Sequence, residues 1–496
     1  MNTSAETKMK IVIAGGGTAG WLAAAALSHQ MGQVLDITLV ESSEIGTVGV
    51  GEATIPPMKA FHRMLQIDEQ AFMRATHATF KLGINFENWK SQGESYFHSF
   101  GFTGKDTPIT EFLHFWMRGR EMGIAGEYGD YCPEYKAAML NRFSTRTDPK
   151  LNHAFHLDAG LYAKFLKRIA DAHGVKRVDG KIVHVGQDSH SGYITHITLD
   201  SGESIFGDLF IDCTGFRGLL IEQTLRTGYE DWTHWLPCDS AVAVQTKSVG
   251  PAVPYTRSIA HHAGWRWQIP LQHRVGNGLV FCSKYMSEDE AVSKLLNDVE
   301  GETLTEPKVI RFVTGKRKKG WNKNCVALGL ASGFLEPLES TSIHLVMTAL
   351  VRILRLLPER KICPSIIQEY NDQAASEMER IRDFIILHYK VTERDDSPFW
   401  QYCRQMEVPE QLAHRIQLFK DTGKSFQVEG ELFRLNSWTQ VMLGQGLVPE
   451  QYHPIARTMK SSDLKIFLQR LHDQVDHLVH GLPSHADFVR EYCRAD

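Results

Sequence analysis

Three glycines near the start of the chain, Gly15, Gly17 and Gly20, follow an apolar run at residues 9–14. In a G-x-G-x-x-G turn the first glycine permits the tight bend, the second lets a pyrophosphate approach the backbone, and the third lets a helix pack on a strand. Glu41 lies 21 residues after Gly20, where a carboxylate can accept hydrogen bonds from ribose hydroxyls. The spacing predicts a dinucleotide site but does not separate FAD from NAD.

A second informative run is residues 264–270, GWRWQIP. Strand periodicity places Trp265 and Trp267 on one face of an extended segment. The two indoles on that face either wall a cofactor or fill a hydrophobic core, and their spacing alone leaves both readings open.

Two ionisable residues have neighbours that suggest more than surface charge. Lys81 lies in the apolar run 80–86, FKLGINF. A buried ammonium needs a partner or a shifted pKa, whereas a lysine at a strand edge packs its stem and extends its head to water. Glu339 precedes a predicted helix that opens at Thr341 or Ser342. Its carboxylate can act in proton chemistry, complement the helix dipole, or do both.

The elements that must position these residues begin with a βαβ unit. Residues 9–14 and 35–40 are predicted strands, and residues 21–31 form the Ala-rich helix between them. Later apolar strands near residues 209–211 and 326–328 also run into glycine turns. Such late elements favour FAD over NAD, because flavin folds that bind FAD through two separate stretches of the chain use the later one to hold the flavin end of the cofactor. The second of these elements contains Leu330.

The remaining patterns predict an inserted sheet and a helical end. Residues 175–202 and 241–281 alternate polar and apolar residues between turn signals, which predicts antiparallel sheet inserted into the cofactor-binding fold. Helical spacing begins after Thr341 and returns at residues 464–479. We therefore predict an α/β, FAD-binding Rossmann-like fold, with a core at residues 1–359 and a mainly helical C-terminal subdomain at residues 360–496 that completes the substrate site.

Composition excludes several classes of function. The chain has 496 residues, 43% of them hydrophobic, and a net charge of -4, so it can bury a large core and lacks the basic field typical of nucleic-acid or anionic-membrane binding. Its eight scattered cysteines and the lack of a signal-peptide or membrane-spanning segment predict a cytoplasmic protein with a small-molecule substrate. We expect no metal site, since His472, His477 and His480 do not all align on one metal ion, and the chain has no nucleophilic triad motif.

Several runs together resemble the flavin-dependent halogenases, the group typified by the tryptophan halogenases. The resemblance covers about residues 9 to 445. Its motifs are residues 15–21 (GGGTAGW), 51–56 (GEATIP), 210–218 (FIDCTGFRG), 264–270 (GWRWQIP) and 334–341 (FLEPLEST). By this resemblance the first two runs contact FAD, and they contain Thr18, Ala19 and Ala53.

The resemblance implies a two-component enzyme. A separate reductase supplies FADH2, which reacts with O2; a chloride or bromide ion is oxidised to hypohalous acid, which travels through the protein to the substrate. Trp265 and Trp267 then form a barrier beside the flavin, and the catalytic residues are Lys81, as a hydrogen-bond donor or haloamine, and Glu339, which polarises the halogenating species or stabilises the ring cation and removes its proton.

The resemblance also implies binding residues. The halide lies near Thr341 and Ser342, although the commoner pattern has glycine at the second position. His98 and Phe100 sandwich an aromatic ring. In tryptophan halogenases a Tyr-Tyr pair holds the amino-acid end of the substrate, but the corresponding run here, residues 436–446, is NSWTQVMLGQG. Because the Tyr pair is missing, we expect indole, a substituted indole or a larger indole-bearing molecule rather than free tryptophan. Trp438 in that run is the expected substrate contact.

Two other functions stay open at this stage. An FAD-dependent aromatic monooxygenase, a hydroxylase, shares the fold, but it needs its ring beside the flavin and has no use for a remote lysine. A flavin-binding scaffold is the non-enzymatic alternative. The oligomeric state is open too, with a homodimer as one alternative.

Overall fold

In a computed structural model of the chain, residues 8–44, 51–359 and 361–495 are described. The first seven residues of the polar N-terminal segment and residue 360, where the predicted subdomain begins, lie outside these ranges. The helices in the described part are α1 (Thr18–Met31), α2 (Met58–Met64), α3 (Glu69–Ala75), α4 (Phe112–Glu121), α5 (Pro133–Met139), α6 (Ala159–Ala172), α7 (Glu288–Asp298), α8 (Ser342–Leu356), α9 (Pro364–Lys390), α10 (Pro398–Gln405), α11 (Glu410–Thr422), α12 (Leu435–Gly444), α13 (Ser461–His480) and α14 (His485–Cys493).

The strands of the described part are short and form five sheets. They are β1 (Met9–Ala14), β2 (Leu35–Glu41), β3 (Gly51–Ala53), β4 (Thr79–Lys81), β5 (Gly83–Glu87), β6 (Ser95–Ser99), β7 (Ala154–Asp158), β8 (Lys176–Asp179), β9 (Ile182–Gln187), β10 (Ile194–Leu199), β11 (Ser204–Phe206), β12 (Leu209–Asp212), β13 (Tyr229–Asp231), β14 (Ser240–Lys247), β15 (Thr256–His261), β16 (Gly264–Pro270), β17 (Arg274–Phe281), β18 (Lys308–Arg311), β19 (Gly315–Arg317), β20 (Trp321–Asn322), β21 (Cys325–Ala327) and β22 (Gly333–Phe334).

The cofactor-binding sheet has six strands in the order β20-β21-β12-β1-β2-β8. All its pairs are parallel except β20 with β21. The predicted βαβ opening and both later strands are therefore confirmed. The helix begins earlier than expected, at Thr18 rather than at residue 21, because the glycine turn leads directly into it.

The inserted sheet has seven strands in the order β18-β14-β17-β16-β15-β5-β6. Its pairs are antiparallel, as predicted for residues 241–281, apart from β15, which runs parallel to β5. That one parallel pair joins a strand from the N-terminal part to the strand before the tryptophan run. Within residues 175–202, β9 and β10 are antiparallel in a separate sheet, but the prediction is wrong for β8, which extends the cofactor-binding sheet parallel to β2. A separate three-stranded sheet, β3-β7-β4, carries Lys81 at the end of β4.

The C-terminal part is helical as expected, from α9 to α14. Its helices do not bury a core of their own. One hydrophobic cluster joins Ile11 of β1 to Phe488 of α14, and a second joins Trp265 of β16 to Phe384 of α9. The division of the chain at residue 360 stays a prediction.

Helix α14 fixes the lysine strand through one imidazole. The backbone N–H of Phe80 donates to Nε2 of His485 (3.2 Å), so the Nδ1–H donates to the carbonyl of Ala252 (2.7 Å). His485 is buried. This side chain ties β4 and the loop before β15 to the C-terminus.

We expect His485→Ala to lower the free energy of unfolding by about 1–3 kcal/mol, because it leaves the buried N–H of Phe80 without an acceptor. Urea unfolding measures the change. His480→Ala, at an exposed position of α13, is the control and should fall within about 0.5 kcal/mol of the parent protein. Equal losses for the two variants would contradict the proposed tie.

Candidate active site

The glycine turn is shaped for close approach of a ligand. Gly15 has φ +113° and Gly20 packs against it, since a Cβ on Gly20 would lie 1.8 Å from the Gly15 carbonyl oxygen. A Cβ on Gly17 would meet nothing within 4 Å. Gly17 is also the N-cap of α1, with no side chain capping the helix. The free N–H groups and open space above them fit a pyrophosphate.

Glu41 lies directly against this turn. A Cβ on Gly16 would lie 1.6 Å from Oε2 of Glu41. The same oxygen accepts from Nε1 of Trp21 (3.2 Å), while Oε1 accepts from Nε of Arg177 (2.6 Å). These contacts hold the carboxylate at the rim of the turn, where it fits the ribose position predicted for it.

A cavity of about 460 Å³ extends from the glycine turn to the inserted sheet. Of the predicted cofactor and barrier residues it is lined by Gly15, Gly17, Thr18, Ala19, Glu41, Ala53, Trp265, Trp267 and Leu330. Gly20 does not line it and acts in helix packing instead. The cavity therefore brings together the N-terminal turn, the late glycine element and the tryptophan run, which is a length of site that suits an extended dinucleotide such as FAD.

Trp265 and Trp267 serve both of the uses left open by their spacing. Their ring centroids are 6.1 Å apart, both are buried, and both line the cavity while belonging to a hydrophobic cluster. Nε1 of Trp265 donates to Oε2 of Glu336 (2.8 Å). The pair is a cavity wall backed by the core.

Lys81 is fully buried, so the alternative of a lysine reaching water from a strand edge is wrong. Its ammonium donates to Oγ of Ser340 (2.8 Å) and to the carbonyl of Thr54 (3.2 Å), and it lies 5.2 Å from the ring centroid of Phe100. Burial lowers the pKa of Lys81 to about 7, against the opposing influence of Glu339. The amine can therefore exchange its proton near neutral pH.

Glu339 is a buried carboxylate held between two imidazoles. Nδ1 of His98 lies 2.9 Å from Oε2, and Nε2 of His388 lies 2.8 Å from Oε1. Burial opposes ionisation, but the two histidines outweigh it and lower the pKa of Glu339 to about 2. The histidines therefore favour the ionised carboxylate, which can stabilise positive charge on a ring.

His98 thus has a partner that sequence reasoning missed. It was predicted to stack on a substrate, and the structure pairs it with Glu339, while its ring also lies 5.5 Å from that of Phe384. His388 was missed altogether. It lies near the end of a 27-residue helix, 49 positions after Glu339, and no local signal in the sequence marks it.

Ser340 joins the lysine to the cavity. It was not predicted as a site residue, although it belongs to the 334–341 run. It has φ +59°, a left-handed conformation uncommon for serine, and it lines the cavity while accepting from Lys81. One residue therefore both lines the cavity and contacts the buried Lys81 amine.

The predicted halide residues lie at the start of α8. Thr341 is its N-cap and Ser342 its first residue, and Ser342 lines the cavity. Oγ1 of Thr341 is buried and has no hydrogen-bond partner among the described residues. An orphaned hydroxyl beside a helix N-terminus fits an anion, and the halide role stays a prediction.

Trp438 is a buried residue of α12. Its Nε1 donates to the carbonyl of Phe433 (3.2 Å), the guanidinium of Arg415 stacks 3.8 Å from its ring centroid, and its ring packs at 4.8 Å on Phe384. Through Phe384 it supports the wall behind His98. Its predicted contact with substrate stays a prediction.

The parallel sheet, the uncapped glycine turn and the long cavity define a Rossmann-type flavoprotein with a buried lysine and carboxylate beyond its cofactor cavity. The Tryptophan halogenase family model matches residues 10–461, and the chain belongs to this family. The match reaches beyond the region of about residues 9 to 445 predicted from the motifs.

Individual relatives agree with the family assignment. The chain is 33% identical to the tryptophan 7-halogenase RebH of Lentzea aerocolonigenes, over 97% of this chain and 98% of that protein. Among solved structures it is similar to Xcc4156, a flavin-dependent halogenase from Xanthomonas campestris, with TM-score 0.97, 54% identity and 99% of each chain covered. It is also similar to BrvH, a flavin-dependent halogenase from Brevundimonas sp. BAL3, with TM-score 0.94, 43% identity and 98% and 99% coverage.

The protein is accordingly a flavin-dependent halogenase that uses FADH2 and halide and depends on a separate flavin reductase, and the hydroxylase alternative is not supported. Bound FAD supplies the oxygen-activating chemistry. Within the described ranges, no helix is long and apolar enough to cross a membrane, and the same residues contain no cluster of metal ligands.

Burial of Lys81 predicts a pH-dependent stability. Because its folded pKa is lowered to about 7, the unfolded chain binds a proton that the folded protein lacks between pH 7 and about 10.4. The stability contributed by Lys81 therefore rises with pH in this window, by up to about 1.4 kcal/mol per pH unit. Relative to Lys81→Met, the parent protein should gain about 2 kcal/mol between pH 7 and pH 9.

Denaturant unfolding at the two pH values measures this difference. Lys150→Met, at an exposed lysine, is the matched control and should show no such gain. A pH-independent difference between the parent protein and Lys81→Met would mean that Lys81 keeps an ordinary pKa in the folded state.

Proposed function

We propose that the protein halogenates an indole-like aromatic by electrophilic substitution at a site between Lys81 and Glu339. One observation carries the proposal: the fully buried side chains of Lys81 and Glu339 lie outside the cofactor cavity, and Lys81 donates a hydrogen bond to Ser340, which lines it. Such charges are costly to bury and serve little purpose in a hydroxylase that uses its flavin directly.

Lys81 handles the halogen donor. Its ammonium donates a hydrogen bond to the oxygen of hypohalous acid, or its neutral amine carries the halogen as a haloamine; a pKa near 7 allows both forms. In the first case a ring carbon bonds to the halogen as the halogen–oxygen bond breaks, and the departing hydroxide takes the lysine proton and leaves as water. The ring carbon then loses its proton.

Glu339 handles the ring. Its carboxylate stabilises the cationic ring intermediate and accepts the proton that the ring carbon releases. His98 and His388 hold it ionised and fixed. The proton then returns from Glu339 to the Lys81 amine, which restores both groups. The sum is one hypohalous acid and one aromatic C–H consumed, and one carbon–halogen bond and one water formed.

Helix α12 supports indole over free tryptophan. Two of its polar side chains are bonded to the backbone beside His98: Oε1 of Gln440 accepts from the N–H of Ser99 (2.7 Å), and Nδ2 of Asn436 donates to the carbonyl of Gly101 (2.6 Å). These groups close the strand end and are not free to hold an amino-acid head group. The substrate we propose is indole, a substituted indole or a larger indole-bearing molecule, bound near His98 and Phe100.

Two further assignments belong with this proposal. The cytoplasm as compartment is supported by eight cysteines that are all free thiols. A homodimer is the oligomeric state we would test first by light scattering.

An assay with purified protein, FAD, a flavin reductase, NADH, O2 and bromide tests the proposed reaction. We expect brominated indole, detected by mass spectrometry, and a higher kcat/KM for indole than for L-tryptophan. Omitting bromide is the control and should abolish the product. Hydroxylated indole without brominated indole would overturn the reaction, and a preference for L-tryptophan would overturn the substrate.

A further inference from the structure

Glu336, three residues before Glu339, is a second fully buried carboxyl group that the proposed reaction does not use. One of its oxygens, Oε2, accepts two hydrogen bonds, from Nε1 of Trp265 (2.8 Å) and from the hydroxyl of Tyr389 (2.6 Å). The other oxygen, Oε1, has no partner among the residues that the structure describes. The group is therefore satisfied on one side only.

The surroundings of Glu336 favour the neutral acid. Sγ of Cys238 lies 3.8 Å from the hydroxyl of Tyr389, and the Tyr389 ring stacks on Trp400. Burial raises the pKa of Glu336 to about 7. A negative oxygen without a donor would cost more here than a protonated one.

The two glutamates are held by consecutive residues of one helix. His388 of α9 lies against Glu339, and Tyr389 donates to Glu336. The Glu339 branch leads to His98 and the proposed halogenation site. The Glu336 branch leads to Trp265, whose indole lines the cofactor cavity. The C-terminal end of α9 therefore contacts both the glutamate of the proposed halogenation site and the glutamate that bonds to the cavity wall.

We propose that Glu336 and Tyr389 are positioning residues that hold the Trp265 indole as the wall of the cofactor cavity, through a shared oxygen and without any proton transfer in the reaction. The inference rests on the proposed function, in which that wall keeps the aromatic substrate from the flavin. A loosened wall lets oxygen chemistry at the flavin run to hydrogen peroxide instead of a halogenated product.

The chain offers a conservative and a disruptive variant at this position. Glu336→Gln keeps an oxygen that accepts both donors and has nearly the shape of the neutral acid. Glu336→Leu removes the acceptor while keeping an apolar side chain of similar size. Tyr389→Phe removes one donor and keeps the ring, and it serves as the disruptive variant if Glu336→Leu fails to fold.

A spectroscopic readout tests the wall without turnover. In protein labelled with 5-fluorotryptophan, Trp265→Phe assigns the fluorine resonance of Trp265. We expect that resonance to keep its position and width in Glu336→Gln and to shift or broaden in Glu336→Leu and Tyr389→Phe. The resonance of Trp438, which bonds to a different acceptor, is the internal control. An unchanged Trp265 resonance in Glu336→Leu or, if that variant does not fold, in Tyr389→Phe would overturn the proposal.

The ratio of hydrogen peroxide to brominated indole gives the second readout. Glu336→Leu should raise the hydrogen peroxide released per brominated indole by about tenfold, which corresponds to about 1.4 kcal/mol of lost positioning, and Glu336→Gln should restore the parent ratio. In a Trp265→Phe background, Glu336→Leu should not raise the ratio of hydrogen peroxide to brominated indole any further. A Glu336→Gln variant as impaired as Glu336→Leu would instead assign Glu336 to proton transfer.

These outcomes separate from failure of the proposed function. If the parent protein brominates no aromatic, the proposed function fails, whereas the fluorine spectra still report whether Glu336 and Tyr389 fix the indole. If the parent protein brominates indole and the spectra do not change, only the positioning proposal fails.

Discussion

The central physical constraint is the burial of charge around the turn that precedes α8. Within residues 336–342 the chain places two buried carboxyl groups, a left-handed serine and the start of a helix. A buried charge costs several kcal/mol unless it is paired and hydrogen-bonded, and a buried neutral acid also needs hydrogen-bond partners. Partners must therefore converge on this turn from distant parts of the sequence: Lys81 from β4, His98 from β6, and His388 and Tyr389 from α9.

This convergence explains why the C-terminal helices belong to the same core as the cofactor-binding part. Helix α9 could not supply His388 and Tyr389 from a loosely attached subdomain, because the position of each side chain must be held to within about 0.5 Å. The buried residues around them, such as Phe384 and Trp400, join the cluster that contains Trp265. Stability and site geometry thus depend on the same packing.

Sequence predicted the parts of the site that follow local rules. The glycine spacing and Glu41 depend on one βαβ unit, and the faces of Trp265 and Trp267 depend on strand periodicity, so both could be predicted. The burial of Lys81 could not be predicted from local rules, since it depends on which distant residues cover the strand. His388 and Tyr389 were not predicted because their roles arise from tertiary contacts. Ser340 was not predicted because its role depends on a positive φ that the residue type serine does not indicate. His98 was found through the family resemblance, but its pairing with Glu339 was not.

We predict that oxygen chemistry and halogen transfer occur at two places joined at Ser340, with Lys81 essential only for the second. The most direct measurement compares brominated indole with FADH2 consumption in the parent protein and Lys81→Met, with FAD affinity measured in parallel. We predict that Lys81→Met, assayed with a hypohalite scavenger such as free methionine, binds FAD and consumes FADH2 as the parent does but forms no brominated indole, and the lost oxidising equivalents leave as hydrogen peroxide or as scavenged hypobromous acid. Brominated indole formed by Lys81→Met at the parent rate would contradict the account.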